Sequence, residues 1–491
     1  MSRGPMSDEG LTVKKSEDFS EWYTQVVQKA ELADIRYNVK GFVVFRPWSV
    51  QIMNRMFQLL EQELERKGHQ PILFPALIPE SNFKKESEHV QGFLPEVFWV
   101  TEAGGTGEKL EERLALRPTS ETAMYQMFSL WIRSWRDLPF KVYQRGPVWR
   151  YEGKATRPFI RSREFYWIES HDAFETLDEA EGQVREDMET TENVVHSEYA
   201  VPFLFFQRPE HDKFAGAIHT YAADALMPDG RVLQLPSTHL LGQNFAKPFD
   251  VKFVDKAGNS QFVWQTCYGP AVSRIIAAVI SIHGDDKGLV LPPKIAPIQV
   301  IIIPIIISKK DAEAVSAKCR EIEKSLKETG VLVKIDDNIE HTPGWKFNHW
   351  ELKGVPLRLE VGPRDVRSGQ VVFVRRDSGE KQSVREGEVV AKAGKVLNDI
   401  QRSMTEKADR LLKARIYEAE GFNELKRLLG GEGGMVRINW CGREECAEEM
   451  KSETDGGVIR GTLLGKEEKA EGNCIKCGRT AAQIVYISKQ Y

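Results

Sequence analysis

The stretch whose reading decides the fold is VWRYEGKATRPFIRSREFYWIESH, residues 148–171. It crowds four arginines and three glutamates among aromatic residues. Strands carry aromatics and surface helices carry charges, but few segments need both so densely. The second half alternates, so Phe165, Trp167, Glu169 and His171 fall on one face of a predicted strand. In the first half Arg150 and Glu152 share a face, with Tyr151 opposite, and a loop leads to Phe159–Phe165. A guanidinium is the side chain best suited to bidentate contact with phosphate, and several around one cavity point to a polyphosphate. An aromatic ring beside them gives a flat base something to stack on. An exposed ladder of cross-strand ion pairs would use the same residue types, so the stretch alone leaves two readings open.

Outward from it, the chain is 491 residues long and is expected to divide into several domains. With 41% hydrophobic and 29% charged residues it has the composition of a soluble globular protein. MSRGPMSDEG at the start has no apolar core, so no secretory signal is expected. The most apolar run, Ile295 to Ser308, is broken by Pro297, Gln299 and Pro304 and reads as a buried strand, not a membrane span. A cytoplasmic protein without a membrane partner is expected. The net charge of −4 gives no overall basic footprint, so any RNA contact must rest on a local patch, and DNA is not expected.

Residues 1–16 read as disordered. In WSVQIMNRMFQLLEQELERKG, Ile52, Met56, Leu59, Leu60 and Leu64 recur at helical spacing, and the apolar strand PILFPALIP follows with Pro75 inside it. The glycine-rich TEAGGTGEK lies between strand-like EVFWV and RLALRP and lacks the Gly-Lys-Ser/Thr ending of a phosphate loop, so it reads as a hairpin turn. RPTSET opens a helix that Thr119 or Ser120 can cap. Further helices are expected over 177–198 and from Gly269-Pro270 onward, and DDKGLVLPPKIAP has a linker's Gly and Pro content. From residue 297, strand and helix alternate as in an α/β domain, and a helical segment over 390–429 precedes a cysteine-rich tail.

The order of these pieces matters more than any one of them. An Arg-x-Glu strand, a loop, an Arg-Glu-Phe strand and a later Gly-x-x-x-Ser-Arg helix start resemble the signatures of class II aminoacyl-tRNA synthetases. ELERKGHQPILFP looks like that class's first motif, Arg150–Phe165 like the second and Gly269–Arg274 like the third. RPTSET, TRPFIRSREFYWIESH, KFAG, STHLLGQNF and PGWKFNHWELKGVPLRLEVGPRD are similar to the prolyl-tRNA synthetase family of archaeal and eukaryotic type. The resemblance covers about residue 17 to Tyr491.

It implies a mixed α/β (α+β) chain. A class II antiparallel sheet flanked by helices would span 17–283, followed by a linker over 284–296. An α/β anticodon-binding domain would span 297–395, and a small zinc-binding α/β domain 396–491. The implied activity joins L-proline to tRNA(Pro) with ATP and Mg²⁺, by way of a prolyl-adenylate. Arg150 and Arg274 would be the catalytic residues. Arg150 would hold the α-phosphate, Glu152 the adenine amino group, Arg161 and Arg274 the outer phosphates, Phe165 would stack on adenine and Gln234 would touch the nucleotide. Thr119 and Glu121 would grip the ammonium of proline, and Arg150 would share that pocket. Trp167, His171 and Phe214 would wall the ring, Glu169 would position His171, and His239 and Cys267 would lie nearby. His171 and Gln265 are fewer than a hundred residues apart, which leaves no room for the editing domain that some bacterial relatives insert.

From His341 to Arg385 basic residues outnumber acidic ones, the reverse of the whole chain, and the resemblance makes Glu351 and Arg364 readers of anticodon guanines. Trp345, Phe347 and Trp350 read as core or interface. Cys441, Cys446, Cys474 and Cys477 form two pairs whose four thiolates suit a closed structural Zn²⁺ site. The first motif predicts a homodimer built on the Ile52–Leu64 helix and the strand to Pro75. Three rivals remain at this point. A synthetase for threonine, histidine or glycine is disfavoured by Trp-x-Glu-x-His with Thr-Ser-Glu. A binding protein that has lost catalysis is disfavoured by the intact charged set, and an adenylate-forming ligase without tRNA by the anticodon-like domain.

Overall fold

The computed structural model describes residues 10–87, 96–105, 107–153 and 155–491. Of the stretch expected to be disordered, 1–9 lies outside the described residues, while 10–16 is tied down. There the Lys15 Nζ donates to the carbonyl of Gly284 (2.7 Å) and its amide to Asp286 Oδ1 (2.8 Å).

A large, mostly antiparallel sheet organises the molecule. From one edge its strands run Gln70–Pro71, Phe140–Trp149, Glu164–Phe174, Trp264–Gly269, Val232–Gly242, His219–Leu226 and Leu204–Gln207. The order then passes into the C-terminal region, through Gly457–Leu463, Gln483–Lys489, Met435–Trp440 and Ile416–Glu418. The seam is the pairing of Thr462 with Gln207 and Leu463 with Phe206. Helices Pro47–Arg66 and Val272–His283 cover one face, sharing a core with the sheet through Met56, Leu60, Ile275 and Val279. A separate five-stranded mixed sheet runs Val333–Ile335, Val300–Pro304, Leu357–Val361, Gln370–Arg375 and Lys381–Arg385, as the alternating pattern after residue 297 implies.

Several local expectations change. Only Gln70–Pro71 and Leu77–Pro79 of the PILFPALIP region pair as strands, because Pro71 and Pro75 remove ladder donors. The segment 390–429 is a helix Val389–Lys413, a short strand Ile416–Glu418 and a helix Phe422–Gly430. The apolar stripe of helix Pro47–Arg66 is internal: Ile52, Met56, Leu60 and Leu64 are buried in this chain's own core and are not available to a second subunit. Leu73 is the most exposed apolar residue described in that region, with 82% of its surface open, and Val50 and Leu77 are exposed to a lesser degree.

Helix Leu177–Thr191 continues as a wider turn over Glu192–Glu198. There His196 faces Glu192 (2.7 Å) and Asp409 of the long helix Val389–Lys413 (2.9 Å). These carboxylates, Glu192 first, raise its pKa to about 9 against the opposing pull of burial. A raised folded-state pKa stabilises fully below the unfolded value near 6.5, and the contribution fades as pH rises through about 9. His196→Gln should therefore lower the melting temperature clearly at pH 6 and very little above pH 9.5, as measured by thermal unfolding at both pH values.

Candidate active site

One cavity of about 240 Å³ opens on the face of the sheet away from the covering helices. Strand Glu164–Phe174 sends Phe165, Trp167, Glu169 and His171 into it, as the alternation predicts. Gln234 and His239 come from Val232–Gly242, Cys267 from Trp264–Gly269 and Arg274 from the first turn of Val272–His283. Thr119, Glu121, Arg150 and Phe214 complete the set. Trp167 packs against Gly269, where an added Cβ would lie 3.0 Å from the indole.

Arg150 lies just past strand Phe140–Trp149, so strand alternation is not what aims it. Its Nε donates to the carbonyl of Pro118 (3.1 Å), and its guanidinium sits 5.1 Å from the centre of the Phe165 ring. Arg274 is held by the carbonyl of Gln234 (3.5 Å). Burial, and then the neighbouring charges of Arg150 and Arg161, lower the Arg274 pKa to about 10. A guanidinium crowded by other cations in this way favours a ligand that brings negative charge. Glu152 and Arg161 do not line the cavity; they pair with each other at 2.9 Å, and Arg161 also donates to the main-chain oxygen of Tyr491 (2.9 Å).

The other end is a buried acid–imidazole network. Glu169 accepts from Ser120 Oγ and from Gln144 Nε2 (2.6 Å) and faces His171 Nε2 at 3.3 Å. The second nitrogen of His171 meets the Tyr125 hydroxyl at 3.0 Å. Burial alone would lower the His171 pKa, but Glu169 and Glu121 outweigh it and hold it above the ordinary value. Across the cavity His239 lies between Thr220 (2.9 Å) and Ser237 (3.1 Å), with its ring 4.8 Å from that of Phe214. Burial, helped by His171 and Arg208, lowers its pKa to about 3, so it is neutral. Burial and the nearby Glu121 push the Cys267 thiol far up, so it too stays neutral. Glu121 is 3% exposed and accepts from the Thr119 hydroxyl. Among the described residues no ion pair reaches its carboxylate. Its charge is felt by Arg150 and His171 without direct pairing, and a bound ammonium would give it a direct partner.

Ser120 takes the N-cap position of the helix Glu121–Trp131, as expected, but neither its hydroxyl nor that of Thr119 makes the capping hydrogen bond. Both hydroxyls are turned onto cavity carboxylates instead. Sequence reasoning also missed Arg208 and Arg117. Arg208 lines the cavity wall and holds Gln234 Oε1 at 3.2 Å. Arg117 ties the carbonyl of Phe74 (2.8 Å) to that of Pro147 (3.1 Å). Arg117 stands inside the quoted RPTSET, a usable signal, whereas the surroundings of Arg208 carry none.

Elsewhere, Glu351 ends the helix Pro343–Leu352, paired with Arg358 (3.3 Å), and Arg364 is exposed on the helix Pro363–Ser368. Among the described residues no ion pair joins them. Trp350 is buried, as expected for core, while Trp345 stacks half-buried between His341 and His349. The four tail cysteines converge, with Cys446 and Cys474 sulfurs 3.7 Å apart and Cys441 and Cys477 sulfurs 3.6 Å apart. A tetrahedral metal with Zn–S bonds of about 2.3 Å has sulfur–sulfur edges of about 3.8 Å, so the set fits that ion. Burial pushes the Cys474 thiol up, but the amides of Cys477 and Lys476 overcome this and bring it to about 7, halfway to the thiolate a metal needs.

Comparison with known proteins agrees with this geometry. Residues 98–283 match the family model of the tRNA synthetase class II core domain (G, H, P, S and T), 299–395 the anticodon binding domain and 422–491 the prolyl-tRNA synthetase C-terminal domain. The proline--tRNA ligase of Thermofilum pendens is 56% identical over 99% of this chain and 100% of its own length. That of Pyrococcus abyssi is 47% identical over 97% and 98%. The prolyl-tRNA synthetase of Giardia lamblia, solved with prolyl-adenylate, superposes with a TM-score of 0.93 at 37% identity, covering 98% of this chain and 100% of that one. The Cryptosporidium parvum enzyme, solved with halofuginone and AMPPNP, gives 0.93 at 39%, covering 99% and 100%. The chain belongs to the prolyl-tRNA synthetase family of class II aminoacyl-tRNA synthetases.

Proposed function

We propose that the chain activates L-proline with ATP and transfers it to tRNA(Pro). The observation that carries the reading is the presence, in one cavity, of a cation-rich end around Arg150 and Arg274 and of a buried Glu121 that no ion pair reaches among the described residues. Prolinium suits the second and a triphosphate the first. ATP enters as its magnesium complex. An oxygen of the proline carboxylate attacks the α-phosphorus, the bond to the β-phosphate oxygen breaks and pyrophosphate leaves, giving prolyl-adenylate. A terminal ribose hydroxyl of the tRNA then attacks the adenylate carbonyl and AMP departs with the electron pair. Charge on phosphoryl oxygens is the main cost, and Arg150 and Arg274 offset it from fixed positions in the cavity.

Phe165 would stack on adenine with Glu152 at its amino group, and Gln234 would contact the nucleotide. Arg161 would reach the outer phosphates only after releasing Glu152 or Tyr491. Trp167, Phe214, His239 and Cys267 would enclose the ring, and Glu169 would fix His171 at its edge. Glu351 and Arg364 would read the anticodon, whose bases offer guanidinium and carboxylate matching edges. A cytoplasmic homodimer is proposed, with the exposed Leu73 side of the first-motif region as its contact. Among the described residues no helix is long and apolar enough to cross a membrane.

Aminoacylation of a tRNA(Pro) transcript with labelled proline tests the whole reaction, and changing the anticodon guanines should lower its kcat/KM by about tenfold or more per base. Charging that is indifferent to the anticodon would remove Glu351 and Arg364 from the account.

Cys441, Cys446, Cys474 and Cys477 would hold Zn²⁺, which would supply a structural cross-link and no catalytic step. Elemental analysis should find about one zinc per chain, and Cys446→Ser should remove it and lower the melting temperature by several degrees.

A further inference from the structure

Asp224 is fully buried and shared by two arginines from different parts of the chain. Arg208 of the catalytic region donates Nη1 to its Oδ2 (2.9 Å) and Nη2 to its Oδ1 (2.8 Å). Arg460 of the C-terminal region donates Nε to Oδ2 (2.7 Å) and Nη2 to Oδ1 (3.0 Å). The contact spans 236 residues of sequence. Burial would raise the Asp224 pKa, but the two guanidiniums overcome it and bring it to about 2, so the carboxylate is ionised under any working condition.

Two irregularities aim these groups at each other. The strand His219–Leu226 slips register between Ala222 and Asp224, and the strand Gly457–Leu463 slips between Ile459 and Gly461. Gly461 has φ +120°, and a Cβ there would overlap the carbonyl oxygen of Gln207. Bulges that re-aim one side chain are features of sites more than of plain sheets.

Arg208 is left with little freedom. Its Nη1 also donates to the carbonyl of Arg460 (2.7 Å), and its Nη2 to Gln234 Oε1. Because a guanidinium can only donate, this contact fixes which end of the Gln234 amide is the oxygen and leaves its Nε2 donor for the cavity. That end suits an acceptor such as a ribose or phosphate oxygen.

We infer that Arg460 is a positioning residue for the adenylation site: through Asp224 and Arg208 it sets which end of the Gln234 amide meets the nucleotide. The inference rests on the proposed reading of the cavity. It makes the C-terminal region part of the catalytic apparatus, although none of its zinc-type cysteines lines the cavity.

The test is proline-dependent ATP–pyrophosphate exchange by the full chain, with rates normalised to titrated active sites. Arg460→Met should raise the KM for ATP by about tenfold or more, the scale of losing a charged hydrogen-bond partner, while the KM for proline and the zinc content stay near their starting values. Arg460→Lys keeps the charge without the two-point contact and should fall between. Its KM decides the matter if the methionine variant does not fold. In a Gln234→Ala background the same Arg460 changes should alter the KM for ATP by less than about twofold, because the group they act through is gone. An unchanged KM for ATP in both Arg460 variants, or an undiminished effect in the Gln234→Ala background, would reduce Arg460 to a structural bolt. No exchange by the unmodified chain would overturn the functional reading and this inference together.

Discussion

Arg274→Ala is expected to lower the rate of proline-dependent ATP–pyrophosphate exchange by about 10²–10³-fold, the range found when one preorganised charge donor is removed from a transition state. The reason is where the residue stands. It is placed in the first turn of a buried helix, braced by the Gln234 carbonyl, and pushed by burial and by Arg150 and Arg161 to a pKa of about 10. A guanidinium held at such cost gains from any group that brings negative charge. The effect should fall mainly on kcat, because charge on the phosphoryl oxygens peaks in the transition state. A loss confined to the KM for proline would place Arg274 in the wrong half of the cavity.

The second large effect belongs to Glu121. Glu121→Gln keeps the shape and the partner hydroxyl of Thr119 but removes a carboxylate charge, leaving Glu169, already engaged with Ser120, Gln144 and His171, as the other acid at that end. The KM for proline should rise about a hundredfold, equivalent to about 3 kcal/mol, the size of a buried charged hydrogen bond. The KM for ATP should hardly move. Equal rises for both substrates would mean that the substitution disturbs the cavity as a whole.

How much of this was legible in sequence depended on distance along the chain. Four wall residues came from a period-two pattern inside one strand, and the structure puts Phe165, Trp167, Glu169 and His171 in a single cavity. The cysteine quartet was equally readable, because two close pairs announce a ligand set whatever the fold between them. The local rule failed at Thr119 and Ser120. Good capping residues at a helix start turned to carboxylates instead, Thr119 to its near neighbour Glu121 and Ser120 to Glu169, which only the folded sheet brings near. Departures of this kind gather at functional sites, where local preference yields to the site's needs.

The helix Pro47–Arg66 was legible, but what covers its apolar face was not, because periodicity reports that a face is covered, not by which chain. Nothing along the sequence joins Arg208 to Arg460. Arg208 lies just past the strand Leu204–Gln207 and Arg460 inside Gly457–Leu463, and the shared Asp224 is what makes them a unit.

The most direct measurement is amino-acid-dependent ATP–pyrophosphate exchange by the purified chain, comparing proline with alanine, cysteine, threonine, histidine and glycine. The account predicts strong exchange with proline, weaker exchange with alanine, since a pocket rejects a smaller side chain by only about 1–3 kcal/mol, and little with threonine, histidine or glycine. No exchange with any amino acid, or a clear preference for threonine, histidine or glycine, would contradict it.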